Sequence, residues 1–332
     1  MRSLFAIVVA FALSSVLSAQ EHPIFNIGAY QDSDGAITLT PNGTQVEPYF
    51  ATKALVVAQD AGLDTRDASM KWIAWVLAHQ RGDGRIDRWC KKKGPEWRRC
   101  ADADADDSML ALWTQLLYRN GTDKGLPLEW QQSADKALAY LNTLRNKQGV
   151  YFIARHNRTP LFMDNIEIYS AFKDISRWIS RWDLGGAAMM HARSEQLATA
   201  IQNVFWNGGK GYFHPSVQKI RPAFYPEAVG QTYPWLEGMP TPQDPKEGWA
   251  VWKQRFADGW LKGEYDPHPW GLLALTALKL DDHNTAACWL ERATPQRGGA
   301  YWNILEEASF QAVQAKAIPN PGNCNFSAAG DD

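Results

Sequence analysis

Apolar side chains recur at intervals of three and four residues from Val46 onward, while strand-type alternation is scarce. Such a chain must bury its apolar surface by packing helix against helix. The spacing predicts helices over 46–61, 66–80, 105–119, 130–146, 164–182, 187–205, 225–236, 244–258, 268–280, 283–293 and 302–316. Turn-rich connectors such as Gly82-Asp83-Gly84, Asn207-Gly208-Gly209 and Arg297-Gly298-Gly299 allow the tight reversals of paired helices. No composition shift or Pro/Ser linker divides the series. The reading is therefore a single all-α domain over 46–318, built of six helical hairpins arranged as an open solenoid or a closed toroid. A signal segment (1–19) and an N-terminal extension (20–45) precede it, and a tail (319–332) follows.

Arg2, the apolar run from Leu4 to Leu13 and the small residue Ala19 before Gln20 have the layout of a secretory signal peptide, with cleavage expected near Ala19. No later stretch has the roughly 20 apolar residues needed to span a bilayer. Lys and Arg total 34 against 36 Asp and Glu, so nucleic acid is excluded as a partner for want of basic excess. Cys90, Cys100, Cys288 and Cys324 suit an oxidising compartment and allow three pairings. A local Cys90–Cys100 bridge would leave Cys288 to pin Cys324 and the tail onto a late helix. No spacing is CxxC, so zinc is not expected.

Acidic and aromatic residues recur at the starts of alternate helices: Glu47-Pro48-Tyr49, Asp104-Ala105-Asp106-Asp107, Asp164-Asn165-Ile166-Glu167, Tyr225-Pro226-Glu227, Asp266-Pro267-His268 and, more weakly, Glu306-Glu307. The first three clusters lie about 58 residues apart, one hairpin, so a closed ring would bring them to one end. Helix starts favour carboxylates by about 0.3–1 kcal/mol, and Asp164 with Glu167 also reads as a capping arrangement. Capping does not explain Asp102, Asp104, Asp106 and Asp107, four like charges within six residues. Such crowding raises at least one pKa unless a cation offsets it, which suits acid–base chemistry.

The stretch Asp104-Ala105-Asp106-Asp107-Ser108-Met109-Leu110-Ala111-Leu112-Trp113 resembles the Asp-Ala-Asp signature of family 8 glycoside hydrolases. The wider layout is similar to the six-hairpin glycosidase superfamily. That resemblance implies an (α/α)6 toroid in which a Glu opening the first inner helix is the general acid and an Asp of the signature contacts the sugar. Glu47 and Asp106 or Asp104 hold the matching positions. Asp104-Ala105-Asp106-Asp107 also resembles the DxDD motif of class II terpene cyclases, but export would separate this chain from polyprenyl substrates held inside the cell.

Glycosidic hydrolysis needs a carboxylic acid to protonate the leaving oxygen and a carboxylate to activate water or attack the anomeric carbon. The expected assignment is Glu47 as acid and Asp106 as partner, with Asp104 and Asp107 polarising it. Asp164 and Glu167 would bind hydroxyls or supply the base. Among 16 Trp, 11 Tyr and 13 Phe, the residues expected to contact carbohydrate are Tyr49, Trp113, Tyr169, Tyr225, Tyr233, Trp235 and Trp270, with Asn165 and His268. No cofactor or metal is expected: Asp102, Asp104 and Asp106 alternate like a calcium loop but lack its glycine and distal Glu. Two alternatives stand beside hydrolysis. One is a polysaccharide lyase using His156 or His214 with Tyr212, although the acidic helix starts would repel a uronate; the other is a glycan-binding protein without catalysis.

Overall fold

The computed structural model describes residues 22–92, 94–316 and 318–326; the expected signal segment and the last residues of the tail lie outside them. Twelve helices follow in order among the described residues. They are α1 (Pro48–Asp60), α2 (Arg66–His79), α3 (Asp106–Arg119), α4 (Leu128–Asn142), α5 (Phe162–Ile179), α6 (Leu184–Phe205), α7 (Phe224–Glu227), α8 (Tyr233–Glu237), α9 (Pro245–Lys262), α10 (Gly271–Lys279), α11 (His283–Ala293) and α12 (Ile304–Gln314). The inner layer is α1, α3, α5, the α7–α8 segment, α10 and α12. Each packs on the next, and α12 returns to α1, so the ring is closed. The expected all-α toroid is present.

Burial separates the two layers. Inner helices touch neighbours on every side, and α3 accordingly buries every residue from Asp106 to Tyr118, and α12 every residue from Ile304 to Val313. The outer helix α4 instead buries one stripe, Trp130, Ser133, Ala134, Ala137, Tyr140 and Leu141.

Two features depart from six regular hairpins. The helix expected over 225–236 is broken into α7, a 3-10 turn at Val229–Thr232 and α8. Pro234 has no N–H to continue the ladder, so the chain restarts a helix with this proline in its first turn. In addition, no outer helix follows α12 among the described residues. The N-terminal extension takes that place: Phe25, Ile27, Tyr30 and Ile37 are buried, and the Gln311 side chain bonds both the N–H and the C=O of Asn26. Leu39 C=O accepts from Ile304 N–H at 3.0 Å and Phe25 N–H donates to Asp64 C=O at 2.9 Å, which ties the extension to both ends of the ring.

Strands are short. β1 (Gln45–Val46), β2 (Arg88–Cys90) and β3 (Arg98–Ala101) form an antiparallel sheet, with Cys90 bonded to Cys100 across the last two. β4 (Trp206–Asn207) pairs with β5 (Tyr212–Phe213). Cys288 is bonded to Cys324, so the tail is pinned to α11. No described helix is long and apolar enough to cross a membrane.

Candidate active site

The N-terminal ends of all six inner segments open onto one cavity of about 380 Å3. Tyr49 comes from α1, Asp104 and Ser108 from the start of α3, Asp164 from α5, Tyr225 and Tyr233 from α7 and α8, Trp270 from the start of α10 and Glu306 from α12. First-turn carboxylates, favoured there by the free N–H groups of each helix, are thereby gathered at one end of the ring.

Glu306 is fixed by its backbone surroundings. Its Oε2 accepts from Gly271 N–H at 2.7 Å. Position 271 tolerates no side chain, because a Cβ there would lie 2.4 Å from Ser309 Cβ and 3.0 Å from Glu306 Oε2. The preceding residue, Trp270, has φ of 51°, a left-handed conformation that costs an aromatic residue about 1–3 kcal/mol. Its ring lies parallel to Tyr225, with centroids 4.7 Å apart, and the pair forms a flat aromatic wall beside Glu306.

Asp164 sits over a buried acidic floor. Its Oδ2, both carboxyl oxygens of Asp107 and Oε2 of Glu167 have no hydrogen-bond partner. Tyr49 donates to Glu167 Oε1 at 2.8 Å, and Lys53 Nζ lies 3.2 Å from that oxygen and 2.5 Å from Glu237 Oε1. Burial pushes Asp107 up to about 8. Burial, then the charges of Asp107 and Glu167, hold Asp164 well above the usual carboxylate range. Burial also raises Glu306 to about 7, with the N–H groups of Gly271 and Trp270 pulling it back toward the ionised form.

Glu306 predicts a pH dependence of stability. The folded chain keeps this proton between about 4.5 and 7, where the unfolded chain has released it, so folding stability falls as pH rises through that window. Glu306 contributes about 3 kcal/mol of loss at pH 8, and Glu306→Gln removes that contribution while those of the other buried carboxyl groups remain. Urea denaturation of both proteins at pH 4.5 and 8 measures the difference; identical pH dependence in the two would show that Glu306 titrates normally.

No family model and no curated protein matches the chain. Solved structures do. A rhamnosidase from Klebsiella oxytoca with rhamnose bound superposes with TM-score 0.58 at 12% identity, covering 80% of this chain and 57% of the rhamnosidase, so the chain spans little more than half of that relative. An alpha-amylase from Clostridium perfringens gives TM-score 0.59 at 10% identity over 88% and 95% of the two chains. A mannosylglycerate hydrolase from Thermus thermophilus in complex with glucose gives 0.53 at 10% over 84% and 95%. The fold is that of the glycosidase toroids.

Within this toroid the residues singled out by sequence divide into two sets. Tyr49, Asp104, Asp164, Tyr225, Tyr233, His268 and Trp270 line the cavity. Glu47 and Asp106 do not. Glu47 is paired with Arg88, which also reaches Asp104 at 2.8 Å, and burial raises Glu47 to about 7. Asp106 is buried at the same end, and burial raises it to about 6. Asp107 and Glu167 form the floor described above. Asn165 bonds the backbone of Tyr151 and Leu161. Trp113 points outward to Ser133, and Tyr169 and Trp235 are packed in the core. Glu306 carried the weakest of the helix-start signals, yet it is the carboxyl group that α12 brings into the cavity when the ring closes.

Proposed function

We propose that the chain is an exported glycoside hydrolase in which Asp164 is the general acid and Glu306 the general base. The observation that carries this reading is a pair of carboxyl groups of unlike environment, Asp164 and Glu306, lining one aromatic-walled cavity whose third carboxyl group, Asp104, is held by Arg88. Asp164 has no hydrogen bond to its Oδ2 and acidic neighbours beneath it, so it keeps its proton near neutrality and can deliver it to a leaving oxygen. Glu306, held by backbone N–H groups that favour the carboxylate and raised to about 7, is suited to take a proton from water. The Tyr225–Trp270 wall supplies a stacking face for a sugar ring.

The cavity volume bears on the substrate. The cavity, of about 380 Å3, is large enough to hold a sugar unit. Two disulfides agree with export. The test is mass spectrometry of products from a panel of neutral, amino and uronate oligosaccharides. Released fragments carrying one added water are expected. Unsaturated fragments without added water would replace this reading with a lyase, and retention without turnover would replace it with a binding protein.

A further inference from the structure

We propose that the opposite mouth of the ring binds a compact multivalent oxyanion, free or carried on a sugar. The C-terminal ends of the inner helices enclose a second cavity, of about 510 Å3. Its wall holds six cations, Lys53, Arg119, Lys173, Arg177, Lys279 and Lys316, against three carboxylates, Asp60, Asp174 and Glu237. The carboxylates are already engaged. Glu237 bonds Lys53 at 2.5 Å and Ser170 at 2.6 Å, while Asp60, at 2.7 Å, and Asp174 hold Arg119.

Lys173, Lys279 and Lys316 have no ion-pair partner among the described residues. Lys173 donates to Gly238 C=O at 3.1 Å and to Tyr169 OH at 3.3 Å, and Lys316 to Ala61 C=O at 3.2 Å. Lysines near helix C-termini answer the helix dipole, which explains their presence singly. It does not explain why lysines from α5, α10 and the end of α12 converge on one concavity with most of their ammonium protons uncommitted. The uncommitted N–H groups of these three lysines supply convergent charged donors for the oxygens of an anion. The wall also contains no aromatic residue, so the stacking face that fits the first cavity to a neutral sugar is missing here.

The test is calorimetric titration of the purified chain at low ionic strength with inorganic pyrophosphate, inorganic phosphate, glucose 6-phosphate and glucose. Saturable binding of one pyrophosphate per chain is expected, with no heat from glucose. Affinity should fall at least tenfold in Lys279→Glu/Lys316→Glu, two exposed side chains whose reversal leaves the core intact, and stay unchanged in Asp164→Asn. Glucose 6-phosphate binding more tightly than inorganic phosphate would assign the anion to a sugar, and equal affinity would assign a free anion. Non-saturating heats, or equal affinity in the charge-reversed variant, would overturn the proposal. Because the readout is binding, its failure is separate from any failure of the hydrolase reading.

Discussion

Asp164→Asn and Glu306→Gln each lower kcat by about 10²- to 10⁴-fold, the usual cost of removing a positioned general acid or base. Asn cannot give up a proton to a leaving oxygen, and Gln cannot accept one from water. Neither substitution changes side-chain volume much, and the Gly271 N–H can still donate to the Gln oxygen, so KM and the fold should be retained. Glu47→Gln and Asp106→Asn serve as the contrast. Both groups are outside the cavity lining, and each substitution should cost less than about tenfold. Steady-state kinetics on whichever oligosaccharide the product analysis identifies decides between the pairs. Near-complete loss in Glu47→Gln with activity kept in Glu306→Gln would return the acid to the start of α1.

Lys53→Met destabilises the protein by about 3–5 kcal/mol at pH 7, measured by urea denaturation. Lys53 is almost fully buried, and its ammonium is the cation facing both Glu167 and Glu237. Burial alone would raise Glu237; Lys53, helped by the Ser170 hydroxyl and the charge of Arg119, outweighs that effect and holds it below its ordinary value. Removing the cation leaves two desolvated carboxyl groups without a counter-charge, whereas the lysine stem is replaced by a side chain of similar length. The double variant Lys53→Met/Glu237→Leu should recover part of the loss, because one uncompensated charge goes with its partner. Coupling above about 1 kcal/mol in the double-mutant cycle is expected. A loss under about 1 kcal/mol for Lys53→Met would show that the pair contributes little.

The helix periods and the local cysteine pair were legible in the sequence because they depend on neighbours in the chain. The break at Val229–Thr232 was less so: Pro226, Gly230 and Pro234 each have a place at a helix end, and sequence alone does not say that all three act within one segment. Lumen and floor were harder still. Glu47 and Glu306 both stand at helix starts, but Arg88, delivered by a hairpin that follows α2, covers Glu47 and leaves Glu306 facing the cavity. Trp113 has the same helical spacing as an inward residue and instead meets Ser133 of α4. Such distinctions are set by which face of an inner helix points to the axis, and helices buried all round carry no stripe to mark it.

Closure of the ring by α12 against α1, with Asn26 bonded to Gln311 285 positions away, sets an order of events during synthesis. A growing chain can assemble successive hairpins as they emerge, since each packs on its predecessor. Glu306 arrives only after the other five inner segments, and the segment that fills the sixth outer position precedes them all. Any chain stopped before α12 would hold Asp164 and its acidic floor on an open arc, with one side of the cleft facing water and Glu306 missing from its lining.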